Sequence, residues 1–315
     1  MADLCTTMMA GDLILLDGAM GTELERRGVP MNGVAWSAEA LDTHPHLVRR
    51  IHEDFIRAGA DIHIANTFAC ARHVLEPAGL GHRTEDYNRR AVRLAREAVA
   101  SAADGRPVWI AGSVSSFAER GDRGKAPESA ALRRIYDEQI GYLLDEGVDL
   151  LVLEMLAEPR ISRIIVEAAA ASGLPLLLGV TCRWGADNKT VIASTRGGGL
   201  PLTDSVLLDD LLPLLTGALN AAAAAERAAV GIMHSNFDVT DPALAMVARH
   251  WTGPRLAYPH SGGIKWPKWQ FDQVCSEAEF AAATRRWVAG GVSVIGGCCG
   301  IEPRHIAAMT HALRS

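Results

Sequence analysis

The sequence lacks most of the features that would place it in a nucleic-acid-binding, membrane or secreted class. It carries no long basic run, and its net charge is −6, from 31 basic and 37 acidic residues. Nucleic acid and anionic membrane surfaces select the opposite balance. No apolar stretch approaches the roughly 20 residues of a membrane span. The opening "MADLCTTMMAGDL" has an acid near its front and no basic segment, so it does not read as a secretory signal. Six cysteines in 315 residues are too few for a disulfide framework. A cytoplasmic, reduced protein with free thiols is expected. No Gly-rich dinucleotide fingerprint follows the first apolar run, and there is no P-loop. No tandem repeat is visible beyond an alternation of apolar and helical segments.

That alternation is what the chain does have. Hydrophobic residues make up 49% of it, ample for a large core. Short apolar runs end in "LILLDGAM", "ADIHIANTF", "PVWIAGSVS", "DLLVLEML", "LPLLLGVTC", "AVGIMHSN", "RLAYPHSG" and "VSVIGGCCG". Continuous apolar runs of strand length are the mark of parallel strands buried on both faces. Helical patterns fall between them, several ending on a glycine cap at Gly59, Gly147, Gly173 or Gly291. Eight such units predict a single α/β domain over residues 1–315, a closed (β/α)8 barrel. An open doubly wound sheet is the structural alternative. In a barrel, active sites gather at the C-terminal ends of the strands. The long irregular stretches after strands three, five and seven would lie at that mouth, where long loops are usually functional.

The eighth run ends on adjacent cysteines, Cys298–Cys299, flanked by glycines. Two small core residues, a redox pair and two thiolate ligands on one metal are the three readings of such a pair. Glycine on both sides permits a tight turn and lets both sulfurs face one point.

"VSVIGGCCGIEPRHIAAM" resembles the C-terminal signature of the homocysteine S-methyltransferase family. "LLDGAMGTELERRG", "AGADIHIANTFAC", "AGSVSSF", "GVDLLVLEML" and "YPHSGG" agree in order, so the resemblance covers nearly the whole chain. It implies a zinc-dependent barrel that moves a methyl group to homocysteine to make methionine. The implied donor is S-methylmethionine, S-adenosylmethionine, betaine or a methylated folate carrier. A thiol near pKa 8.5 is mostly protonated at neutral pH, and binding to Zn²⁺ deprotonates it. Catalytic zinc keeps three protein ligands and one open position. Two of the ligands implied are Cys298 and Cys299. The family pattern puts a third cysteine in a Gly-x-Asn-Cys segment at the end of the sixth strand, where this chain has Met233–His234. A site of two cysteines and one histidine is a known zinc arrangement, so His234 is the expected third ligand, with Cys182 in reserve. A structural, hydrogen-bonded strand-end histidine is the alternative. Exchanging a thiolate for a neutral imidazole makes the zinc a stronger Lewis acid and suits a cationic donor.

The resemblance also implies how the substrates are held. Asp17 and Glu154 match the positions that bind the homocysteine ammonium. The glycine-rich turn "DGAMGT" offers backbone N–H groups to the carboxylate, with Gly18 and Thr22 as its candidates and Asn66 and Thr67 completing a polar wall. Trp36, Trp266 and Trp269 are candidates on the donor side, where aromatic faces attract an onium cation; loop anchoring is their alternative role. His260, in place of the family's usual Asn, is read as supporting a ligand. No cobalamin module or folate domain is recognised, which favours an onium donor, S-methylmethionine or S-adenosylmethionine. The competing readings are a related methyltransferase or demethylase with a betaine-like or other sulfonium donor or another thiol acceptor, and a metal-free, non-catalytic thiol-binding or redox barrel. The expected partners are small molecules, with no nucleic acid and no membrane, and the expected assembly is a monomer or small homo-oligomer.

Overall fold

In the computed structural model, residues 3–117, 127–194, 206–265 and 270–315 are described. The first third of the chain runs α1 (Leu4–Met9), β1 (Ile14–Leu15), α2 (Met20–Arg26), α3 (Ala40–Thr43), α4 (Pro45–Arg57), β2 (Ile62–Ile64), α5 (Arg72–Leu75) and α6 (Thr84–Ala102). The middle holds β3 (Trp109–Ser115), α7 (Ser129–Asp145), β4 (Leu150–Leu156), α8 (Pro159–Ala170), β5 (Leu176–Val180), β6 (Cys182–Trp184), β7 (Val191–Ala193), β8 (Val206–Leu207) and α9 (Leu208–Ala221). The last third holds β9 (Ala228–Met233), α10 (Phe237–His250), β10 (Arg255–Tyr258), β11 (Gly263–Lys265), β12 (Gln270–Asp272), α11 (Glu277–Ala289), β13 (Val294–Ile295) and α12 (Pro303–Arg314).

Eight of these strands form one parallel sheet in the order β1-β13-β10-β9-β5-β4-β3-β2. A parallel bridge between Leu16 and Ile62 joins its two edges, so the sheet closes on itself and the (β/α)8 barrel expected from the sequence is formed. The strands are as apolar as their position requires: every residue of β4, β5 and β9 is buried. Two packed layers result. Ile14, Leu16, Ile62, Ile64, Val152, Leu177, Leu256 and Val294 fill the lumen, with Met233, Tyr258 and Cys298 in the same cluster. A second layer, built from residues such as Leu15, Phe55, Leu153, Leu178 and Ile232, seals the strands against the ring of helices.

The helices start where local chemistry tells them to. Pro45, Pro159 and Pro303 occupy first-turn positions, where the missing N–H is no loss. Ser276 and Glu279 close a reciprocal capping box on α11. One element had no periodic signature in the sequence. The short helix α1 begins on an Asp3 cap and sends Leu4 and Met8 into the lumen cluster, plugging the barrel.

The long loops after β5 and β10 carry small antiparallel sheets. β6, β7 and β8 follow β5, and the β11–β12 hairpin follows β10. Both additions rise from the C-terminal ends of barrel strands, the same end that carries Asp17, Glu154, His234 and Cys298.

Candidate metal and thiol site

Cys298 and Cys299 follow β13 on a turn that glycine makes possible. Gly300 has φ +81°, a left-handed conformation. At Gly297 a Cβ atom would come within 2.6 Å of the Ile301 side chain. The two sulfurs stand 3.6 Å apart. Neither is in a disulfide, and Cys299 is the more accessible of the two. Burial, with Cys299 beside it, pushes the Cys298 thiol well above its ordinary pKa.

His234 meets them from the end of β9. Its Nδ1 lies 2.9 Å from Cys298 Sγ, and its Nε2 lies 2.7 Å from a carboxylate oxygen of Glu154. A carboxylate only accepts, so in the neutral ring Nε2 carries the proton and Nδ1 the lone pair. The lone pair therefore faces the sulfur. The backbone is shaped for this contact: His234 has φ +50°, a region that histidine enters more readily than most residues.

Glu154 reaches the histidine from a bulge. Between β4 and β5 the pairing jumps from Leu153↔Leu178 to Leu156↔Val180, so Glu154 and Met155 stand opposite Gly179 alone. Met155 has φ +57°. Bulges of this kind re-aim a side chain. The other Glu154 oxygen accepts a hydrogen bond from Ser113 Oγ on β3. Gly179 has a second use, because a Cβ there would lie 2.0 Å from Met233 Sδ. The glycine makes room for the large residue that stands just before His234.

The remaining expected residues separate into groups. Asp17 is buried and accepts from the Ile64 N–H at 2.9 Å and from the Tyr258 hydroxyl at 3.3 Å. Burial raises its pKa well above the carboxylate range. Gly18 is packed against Phe55 and the Ile301 carbonyl, where a Cβ would meet both at 2.5 Å, and its carbonyl accepts from Tyr258 at 3.1 Å. Thr22 accepts from the Gly300 N–H at 3.2 Å and so ties α2 to the cysteine turn. The polar wall expected of Asn66 and Thr67 is engaged in holding the scaffold. Asn66 exchanges hydrogen bonds with Ser37, and Thr67 exchanges them with the Ser113 backbone.

Cys182 is buried and paired with Ser235, with its sulfur 3.5 Å from the Ser235 hydroxyl and its thiol pKa pushed up to about 12 by burial. His260 is buried and its Nε2 lies 2.7 Å from the Asn236 side-chain oxygen. Trp36 has φ +44°, and its ring packs edge-on to Phe68, with centroids 5.4 Å apart. Trp266 and Trp269 lie outside the described residues.

Sequence reasoning passed over two aromatic residues. Phe68 stands 5.6 Å from the His234 ring and 5.2 Å from Phe117, centroid to centroid. Phe68 thus stands between the histidine and the rings of Trp36 and Phe117, both of which pack on it. The only signal of Phe68 and Phe117 was position, each lying just past a barrel strand. It also passed over a cluster behind the barrel wall. Ligand atoms of Asp17, His52 and His63 all lie within 4.8 Å of one another. Both His52 ring nitrogens and His63 Nδ1 are buried without a hydrogen-bond partner among the described residues.

Two thiols and an imidazole lone pair at the C-terminal mouth of a (β/α)8 barrel define a class of metal- or thiol-handling enzyme. Comparison with known proteins narrows it. The family profile described as homocysteine S-methyltransferase matches residues 14–313. The homocysteine S-methyltransferase of Escherichia coli strain K12 is 30% identical, over 95% of this chain and 94% of that protein. A selenocysteine methyltransferase of Astragalus bisulcatus is 26% identical, over 97% of this chain and 94% of its own. Among solved structures, the metallated form of the homocysteine methyltransferase MmuM from Escherichia coli superposes with a TM-score of 0.74 at 28% identity, covering 95% of this chain and 96% of that one. The chain belongs to the homocysteine S-methyltransferase family, and it is a methyltransferase.

Proposed function

We propose that this protein transfers a methyl group from an onium donor, S-methylmethionine or S-adenosylmethionine, to homocysteine, and that residues 1–315 act as one domain holding one zinc ion through His234, Cys298 and Cys299. The single observation that carries the reading is the meeting of these three side chains across 64 residues of sequence. Their chemistry fits zinc. Two thiolates on a tetrahedral ion with Zn–S near 2.3 Å stand about 3.8 Å apart, close to the 3.6 Å between the two sulfurs. The 2.9 Å from Cys298 to His234 is a hydrogen bond; as co-ligands the two atoms would separate to about 3.6 Å. The imidazole lone pair already points at the shared position, with its other nitrogen on a carboxylate, as metal-bound histidines usually have it. The Asp17–His52–His63 cluster offers one carboxylate and two imidazoles but no thiolate, a harder donor set.

Bound there, zinc would supply the charge that turns the acceptor thiol into a thiolate at neutral pH. The protein's own residues do the positioning. Asp17 is a buried acid whose hydrogen bonds come from neutral donors, and it suits the acceptor's ammonium. Thr22 ties the cysteine loop to α2, and the Gly18 carbonyl holds the Tyr258 hydroxyl. Trp36, Phe68 and Phe117 offer aromatic faces to a cationic donor beside the histidine, with Trp266 and Trp269 as further candidates. His260 holds Asn236 and so steadies the strand end that carries His234. Most of the acceleration asked of such a site is alignment of the methyl carbon with the sulfur.

No helix among the described residues is long and apolar enough to cross a membrane. We place the enzyme in the cytoplasm, acting on small molecules as a monomer or small homo-oligomer. The test is zinc content, by elemental analysis, of the wild type and of His234→Ala and Cys298→Ser, followed by methyl transfer from each donor. About one zinc per wild-type chain and much less in both variants supports the reading. Zinc retained by both variants and lost from His63→Ala would move the metal to the Asp17 cluster. No zinc after reconstitution under reducing conditions would leave a thiol-binding or redox barrel.

A further inference from the structure

One of the two acids expected to bind the acceptor's ammonium already has partners on both carboxylate oxygens. Glu154 is buried, and each of its carboxylate oxygens has a partner: Ser113 Oγ on one, His234 Nε2 on the other at 2.7 Å. The β4 bulge that delivers it here stands opposite Gly179, whose missing side chain accommodates Met233, the neighbour of His234. Bulge, glycine and histidine thus form one local arrangement built around the Glu154–His234 contact. We propose that Glu154 is a positioning residue for the histidine ligand: it fixes the Nε2–H tautomer and aims Nδ1 at the position shared with Cys298. The proposal rests on the zinc reading above.

Three physical arguments support this division of roles. An ammonium that drew Glu154 away would leave a largely buried imidazole N–H without an acceptor, which carries a full desolvation penalty. A cysteine in place of His234 would have no second nitrogen to orient, so the role exists only because this chain has a histidine. Asp17, by contrast, accepts from backbone N–H groups and the Tyr258 hydroxyl, and among the described residues the basic group that approaches it is His63 at 3.9 Å. Burial keeps that histidine's pKa well below its ordinary value. Asp17 is therefore the acid left for a cationic substrate group.

The test reads zinc affinity, by competition with a chromogenic chelator, in the absence of either substrate. Glu154→Gln keeps the size of the side chain and guards against a folding failure; Glu154→Ala removes the contact. Each is made in the wild-type background and in His234→Cys. Loss of a metal ligand's partner typically weakens binding about 10- to 100-fold. The expected result is a loss of about that size for Glu154→Ala, a smaller loss for Glu154→Gln, whose amide oxygen still accepts from Nε2, and less than about threefold for either in His234→Cys. Homocysteine KM is then measured at saturating zinc. Unchanged zinc affinity with a raised KM would make Glu154 the ammonium anchor and overturn the proposal. Equal losses in both backgrounds would also overturn it, because Glu154 would then not act through His234. A wild type that takes up no zinc fails the zinc reading itself, and the proposal with it.

Discussion

Acidification from pH 7 to pH 5 should loosen the barrel wall behind Asp17. His52 on α4 is fully buried, and neither ring nitrogen has a hydrogen-bond partner among the described residues. Burial lowers its pKa from 6.5 to about 4. The groups facing it are the His63 ring, 6.2 Å away centroid to centroid, and the Asp17 carboxylate beyond. A base with a depressed folded-state pKa favours the folded chain only while neutral. Its contribution is complete above the unfolded value near 6.5 and declines as the pH falls toward 4, because the unfolded chain takes the proton first. For His52 alone, linkage gives a penalty of about 0.2 kcal/mol at pH 7 and about 2 kcal/mol at pH 5. His63, lowered by the same burial, adds to the loss in the same direction. The assay is urea unfolding of the wild type and His52→Leu at both pH values. Leucine neither titrates nor leaves nitrogens unpaired, so the variant should lose about 2 kcal/mol less than the wild type over this interval. Equal losses in the two proteins would refute the reasoning and show that His52 is solvated or paired.

Gly179→Ala should destabilise the fold by about 1–3 kcal/mol, the usual effect of overpacking, since its Cβ would lie 2.0 Å from Met233 Sδ; Met233→Ala should relieve much of that in the double variant, and additive losses in denaturant melts would count against the contact. Iodoacetamide at pH 8 should label Cys299 in the metal-free enzyme but not after zinc loading, while Cys182, with a thiol pKa near 12 and deep burial, should stay unlabelled in both until urea is added, as peptide mass spectrometry would show. Phe68→Leu should raise the KM of a cationic donor by roughly 2- to 20-fold while leaving that of homocysteine nearly unchanged, the range expected for one aromatic face on a cation.

The barrel was legible because its strands are buried on both faces. Runs such as "DLLVLEML" and "LPLLLGVTC" have no other stable home than a parallel sheet under helices, and the helix of residues 84–102 coincides with its amphipathic pattern. Helix α1 was not legible. Six residues hold too few turns to show a period, and what fixes α1 is the lumen it plugs. The family resemblance, together with residue type, pointed to His234, Cys298 and Cys299. The partners of Glu154 could not be read that way. They depend on a one-residue bulge in β4, and a bulge leaves no mark in a uniformly apolar strand. Asn66 and Thr67 show a related gap. A polar residue at a strand end can serve a substrate or its own scaffold, and their hydrogen bonds to Ser37 and Ser113 come from long-range packing that local sequence does not carry.

The strand order bears on how the site assembles. His234 rides on β9 and the cysteines on β13, and β10 lies between those two strands and pairs with both. The imidazole meets the sulfurs only once β13 has docked beside β10. Zinc uptake during refolding, if the three side chains hold the ion as proposed, would therefore report the docking of β13 and not the closure of the barrel at Leu16 and Ile62.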